Sequence, residues 1–148
     1  MKEKHILERL VDASPGMEIW WDSSPLIFHG WCEQAVGKAA QGDRRALESQ
    51  LSRMYRSDEP EKSLFRGVTT NPRLSLQAIE ADKETWAGIV RELIEKNKDA
   101  DKESLFWLMY KEVVKRGSDM FLPLFEKSGF KEGFLSGQVD PRDAFNPE

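Results

Sequence analysis

The chain predicts an α/β fold built on a parallel sheet. Three observations point to it. Short runs of β-forming residues recur at 17–21, 64–68 and 133–139. Each run ends in polar residues and a proline: Asp22-Ser23-Ser24-Pro25, Thr69-Thr70-Asn71-Pro72 and Asp140-Pro141-Arg142. The stretches between the runs carry helical periodicity and are far too long for hairpins. Strands that alternate with helices imply parallel pairing with helices packed outside the sheet.

The first helix is predicted over 2–13, where Ile6, Leu7, Leu10 and Val11 recur at helical spacing. Ser14-Pro15-Gly16 stops it. The first strand follows and runs into Asp22. Ser24 suits an N-cap and Pro25 an N1 position, so a helix starts there and continues to about Gln41. Leu26, Ile27, Trp31 and Ala35 are its candidate core residues. Asp43 is predicted to cap a second helix that presents Leu47, Leu51, Met54 and Tyr55 on one side. A turn at 57–60 leads to the second strand.

Asn71 and Pro72 read as N-cap and N1 of the next helix, which extends to about Ala81. Asp82 caps another, with Trp86, Ile89, Val90, Leu93 and Ile94 on its apolar face. A polar connector at 97–101 precedes a helix carrying Leu105, Phe106, Leu108, Met109, Val113 and Val114 as far as Gly117. Ser118 or Asp119 is then predicted to cap a last short helix with Phe121, Leu124 and Phe125. The third strand follows Ser128-Gly129.

The 148 residues suit one domain over 1–148, and no repeat or linker divides them. A formal net charge of -4 provides no basic field for nucleic acid or an anionic membrane. Cys32 is the only cysteine, which excludes an intrachain disulfide and a four-cysteine zinc site. On its predicted helix it reads as a small apolar residue. No apolar run approaches the about 20 residues that a membrane span needs. The N-terminus leads into an amphipathic helix rather than an apolar leader. The expectation is a soluble, cytoplasmic chain.

In a parallel sheet the C-terminal strand ends lie side by side, and ligands bind there. Asp22, the stretch Thr69-Thr70-Asn71, and Gln138 with Asp140 occupy those ends. Glycine-rich phosphate loops, metal-ligand spacings and a nucleophile elbow are missing from the sequence. His5 and His29 have no metal-ligand pattern around them.

Gly67-Val68-Thr69-Thr70-Asn71-Pro72-Arg73-Leu74 resembles the T-T-N-P-S-L signature of the transaldolase family. Gly133-Phe134-Leu135-Ser136-Gly137-Gln138-Val139-Asp140-Pro141-Arg142 resembles that family's third-strand pattern, close to G-x-[VI]-S-x-E-V-D-P-R. Ile19-Trp20-Trp21-Asp22 resembles its first strand. The three motifs occur in the family's order. The longer segment from Asp22 to Thr69 departs from the commonest members by an extra helix near 43–56.

The resemblance implies part of a (β/α)8 TIM barrel, with its first three parallel strands and intervening helices. It implies a class I aldolase of the pentose phosphate route that transfers a dihydroxyacetone unit between sugar phosphates through a lysine Schiff base. Metal and organic cofactor are both dispensable in that chemistry. Asp22 matches the acid that exchanges protons with the substrate hydroxyl. Thr69, Thr70, Asn71 and Ser136 match positions along the substrate. Gln138 stands where most transaldolases have a glutamate that activates water. A carboxamide orients water but takes no proton, and the shorter sugar-phosphate aldolases of the family carry glutamine there.

The family's lysine follows its fourth strand, and no lysine of this chain stands in such a position. Lys111 falls in a predicted helix and reads as a surface residue. The sequence thus resembles the N-terminal part of a transaldolase, from a truncated or split gene product, without Schiff-base activity of its own. Three readings follow: a transaldolase or fructose-6-phosphate aldolase-like enzyme needing the remaining strands, a sugar-phosphate-binding module without catalysis, or a half-barrel completed by a lysine-bearing partner chain.

Overall fold

The computed structural model describes residues 4–143. Its centre is a three-stranded sheet, order β1-β2-β3, formed by β1 (Ile19–Asp22), β2 (Phe65–Thr70) and β3 (Phe134–Gly137). Both pairings are parallel. After α1 (Ile6–Ala13) and β1, a 3-10 turn at Pro25–Ile27 leads into α2 (Phe28–Lys38) and then α3 (Arg44–Leu51). From β2 the chain passes through α4 (Pro72–Ala81), α5 (Lys83–Lys96) and α6 (Lys102–Lys127) to β3. Parallel crossovers are right-handed. Because the strand order never reverses, successive crossovers fall on the same side of the sheet.

The register shows which residues meet those helices. Trp21 pairs with Val68, and Val68 with Leu135. Val68 is fully buried, in one cluster with Phe28, Met54, Tyr55, Phe65, Phe121 and Leu124. Burying such a side chain contributes about 1.5–3 kcal/mol. A second cluster, Ala78, Trp86 and Val113, joins α4, α5 and α6.

A bulge adjusts β2 to this core. Ile19 pairs with Phe65 but Trp20 with Gly67, so Arg66 is the extra residue. Phe65 and Val68, three apart, therefore both reach the core, and Phe65 stacks on Trp21 with ring centroids 5.8 Å apart. Arg66 also holds the start of β3. Its carbonyl accepts the Gly133 N–H at 2.7 Å and its guanidinium pairs with Glu132 at 3.1 Å.

Local chemistry accounts for the helix starts. Asn71 Oδ1 accepts the Leu74 N–H at 3.0 Å, Asp82 Oδ1 that of Thr85 at 3.2 Å, and Asp101 Oδ1 that of Ser104 at 2.8 Å. These are N-caps, and the Ser104 N–H holds the Asp101 carboxyl below its usual range. Asp43 makes no such bond, so α3 starts without a side-chain cap. The first helix starts at Ile6, capped by His5, which accepts the Leu7 N–H at 3.2 Å while Glu8 accepts the His5 N–H at 2.6 Å.

Other expectations need correction. The helix expected to stop at Gly117 runs on unbroken from Lys102 to Lys127. Gly117 serves close packing: a Cβ there would stand 3.0 Å from Leu135 and 3.2 Å from Pro25. Pro123 lies inside the same helix on its exposed side. Met54 and Tyr55 fall beyond α3 yet are buried, and the Tyr55 hydroxyl donates to the Met120 carbonyl at 2.6 Å.

Gly133 has φ 85°, and a Cβ there would stand 2.6 Å from the Phe125 nitrogen and 2.8 Å from the Phe121 oxygen. Gly133→Ala should lower stability by about 2–4 kcal/mol in urea unfolding, because backbone on both sides must shift. Burial pushes the Tyr55 phenol above its ordinary value of 10.0. The folded state thus holds that proton more tightly than the unfolded state. This contribution is intact below the ordinary value and is lost as pH rises through the folded one. Stability of the wild type should fall more steeply above about pH 10 than that of Tyr55→Phe, as read by circular dichroism against pH.

Candidate functional site

The second face of the sheet carries the polar strand ends. Across it Trp20 pairs with Gly67 and Gly67 with Phe134, and one layer on Asp22 pairs with Thr69 and Thr69 with Ser136. Adjacent strands lie about 4.8 Å apart, so the row Asp22–Thr69–Ser136 spans about 10 Å. Asp22 and Ser136 are exposed, as are Trp20 at 38% and Phe134 at 44%. This face is open where the other is packed with helices.

The row is linked by a hydrogen bond. Thr69 Oγ1 donates to Asp22 Oδ1 at 2.8 Å. The backbone supports the same alignment beyond the strand ends: the Ser23 N–H donates to the Thr69 carbonyl at 3.0 Å, and the Gln138 N–H to the Thr70 carbonyl at 3.3 Å. A threonine hydroxyl spent on one carboxylate oxygen orients the group and leaves the other oxygen for an incoming hydroxyl.

Asn71 stands just beyond β2 in extended backbone. Its Oδ1 is committed to the helix cap, and its amide NH2 makes no hydrogen bond among the described residues. The same side chain can therefore start α4 and still donate to a ligand. Gln138 follows β3 with its side chain exposed. Asp140 sits in the next turn, where Arg142 Nε donates to it at 2.9 Å and the Arg142 guanidinium also contacts Glu103.

Thr70 does not join this row. Strand alternation turns it toward the helices, where it is 6% exposed and its hydroxyl lies 3.4 Å from that of Ser75. Its side chain packs the junction of β2 and α4 rather than lining the open face, which corrects the grouping of Thr69, Thr70 and Asn71 as one wall.

Beneath the row is an aromatic floor. A Cβ on Gly67 would stand 2.7 Å from Trp20 Cδ2, so the indole lies directly over the glycine. Trp20 Nε1 donates to Glu18 at 2.8 Å. On the helix side of the same strand ends lie two buried hydroxyls, Ser24 and Tyr110, without hydrogen-bond partners of normal geometry among the described residues. Burial pushes the Tyr110 phenol above its ordinary range, and the Gln138 N–H opposes that push. Tyr110 was not picked out in the sequence, and Ser24, expected as an N-cap, precedes the 3-10 turn without a side-chain cap bond. Gly137 was the available signal, since a glycine inside a strand marks close approach by another group.

A groove of about 1030 Å³ lies elsewhere, between α2, α3 and the segment before β2. Phe28, Cys32, Leu51 and Tyr55 are among its lining residues, and none of Asp22, Thr69, Asn71, Ser136 or Gln138 lines it. Its arginines have partners: Arg53 pairs with Glu8 at 2.9 Å, Arg56 with Glu59 at 2.6 Å, and Arg44 donates to the Gly37 carbonyl at 3.1 Å. Burial raises the Cys32 thiol above its ordinary value, which disfavours a reactive thiolate there. Lys111 is exposed on α6, and no lysine among the described residues follows a strand. Among the described residues no cluster of His, Cys, Asp or Glu could hold a metal ion, and no helix is long and apolar enough to cross a membrane.

Compared with protein-family models, curated proteins and solved structures, the chain matches none.

Asn71→Ala should lower stability by about 1 kcal/mol through loss of the cap, and Asn71→Asp should retain most of it, both read from urea midpoints at constant slope.

Proposed function

We propose that this chain supplies the first three β/α units of a transaldolase-type barrel and acts on sugar phosphates in the cytoplasm. The observation that carries the reading is the row Asp22–Thr69–Ser136 on the open face, tied by the 2.8 Å hydrogen bond and flanked by Asn71 and Gln138. Three motifs separated by long helical segments meet in one place, as the resemblance requires. The one-way winding of the sheet and its uncovered face also support a barrel segment, since a barrel keeps its helices outside.

In this reading the chemistry is divided between groups. A lysine on a further strand forms the imine with the ketose carbonyl. Asp22 takes the proton from the hydroxyl on the carbon beyond the bond that breaks, and the electron pair of that bond moves toward the imine. An aldehyde departs, and the three-carbon unit stays on the lysine until another aldehyde accepts it. Thr69 keeps Asp22 oriented, while the Asn71 amide and the Ser136 hydroxyl hydrogen-bond the three-carbon unit. Gln138 orients the water of imine formation and hydrolysis. The reaction calls on neither a metal nor an organic cofactor.

Gln138 favours a second version of the same reading, a fructose-6-phosphate aldolase-like preference, because a neutral amide holds water without taking its proton. The exposed edges of β1 and β3 favour completion by further strands, either from the same polypeptide or from a complementary lysine-bearing chain. Without those strands the three units form a non-catalytic half-barrel.

Borohydride trapping with fructose 6-phosphate, followed by peptide mass spectrometry, tests the reading. The 148-residue chain should form no lysine adduct. Supplying the remaining strands, in the same chain or as a second one, should give an adduct on a lysine of the added segment, and Asp22→Asn should slow turnover by about 100-fold or more. An adduct on Lys111 or another lysine of this chain would sink the proposal.

A further inference from the structure

Tyr110 lies on α6 beneath the end of β3. Trp107 meets its ring edge-on with centroids 5.7 Å apart, which holds it in place. The residue is 8% exposed. Its hydroxyl oxygen stands 3.1 Å from where a Cβ on Gly137 would be, so the missing side chain of Gly137 makes its room. Leaving a buried hydroxyl unpaired is unfavourable, so a neighbouring donor or acceptor gains by meeting it. The next backbone N–H along the chain is that of Gln138, which acts on the Tyr110 hydroxyl. Its bond to the Thr70 carbonyl, at 3.3 Å, is beyond the usual range for N–H···O and leaves that proton free to be shared.

We propose that Tyr110 is a positioning residue for Gln138: its hydroxyl oxygen accepts the Gln138 N–H jointly with the Thr70 carbonyl and fixes the backbone from which the carboxamide projects at the rim of the strand-end row. What Gln138 then does rests on the sugar-phosphate reading; the contact itself does not. Gly137 and Tyr110 act as a pair, one removing bulk from the strand and the other filling the space with a polar atom. Val114, 3.3 Å from the same Cβ position, closes the remaining side. A helix residue on the packed face thereby governs a residue whose side chain is exposed.

Amide hydrogen exchange on the full chain, resolved by NMR, tests this. Tyr110→Phe keeps the ring and removes the oxygen. It should speed exchange at Gln138 by about three- to tenfold while leaving Leu135 unchanged. Gly137→Ala, which crowds the hydroxyl, should have the same selective effect, so the test does not depend on one variant. Unchanged exchange at Gln138 in both variants overturns the proposal, as does an increase spread evenly along β3, which marks general loosening. Titration of the wild type and Tyr110→Phe with fructose 6-phosphate, followed at the Gln138 side-chain amide, separates the two readings. A ligand response weakened in Tyr110→Phe supports the positioning role. Selective exchange without any ligand response in a barrel completed by the remaining strands overturns the sugar-phosphate reading and upholds the Tyr110–Gln138 contact.

Discussion

Strand β2 has neighbours on both edges and different duties on its two faces, and the rest of the structure depends on how it meets both. Val68 and Thr70 face the helices, while Gly67 and Thr69 face the open side. The bulge at Arg66 lets Phe65 join Val68 in the core without turning Thr69 away from Asp22. A regular strand would place Phe65 on the same face as Gly67 and Thr69. One extra residue thus reconciles an aromatic core with a polar rim. Arg66 itself also binds the start of β3, so the irregularity aligns all three strands.

The helices follow from the same constraint. Their apolar sides meet on one face of the sheet because each crossover passes on the same side. Within that layer α6 spans β3, β2 and the turn after β1, and small residues set its distance. Gly117 admits Leu135 and Pro25, and Gly137 admits Tyr110 and Val114. The sheet and α6 therefore approach through missing side chains at two levels, and a larger residue at either would separate them.

Much of this was legible in the chain itself. β-branched and aromatic runs ending in proline marked all three strands, and Asn71 and Asp82 announced their caps because a short oxygen-bearing side chain before a helix has that one local use. What stayed hidden depends on partners distant in sequence. Gly117 looked like a stop because a lone glycine usually weakens a helix; only its meeting with Leu135 and Pro25 explains it. Thr70 looked equivalent to Thr69, although alternation along a strand sends neighbours to opposite faces. At the site, Asp22, Thr69 and Ser136 could be named from strand ends and family resemblance, but their common row required the register. Tyr110 lay on a helix, where no local pattern distinguishes a buried hydroxyl from an ordinary one, and Ser24 read as a helix cap although its hydroxyl makes no cap bond.

The indole of Trp20, lying over Gly67, gives the polar row a graded electrical setting. Below it is a slab of aromatic carbon that polarises little, and beyond the strand ends is solvent. Field lines from the Asp22 carboxylate are screened less through the slab than through water. A cationic centre held over the row would therefore feel that carboxylate more strongly than it would at an ordinary protein surface. Gly67, by having no side chain, is what brings the low-dielectric layer close enough to matter.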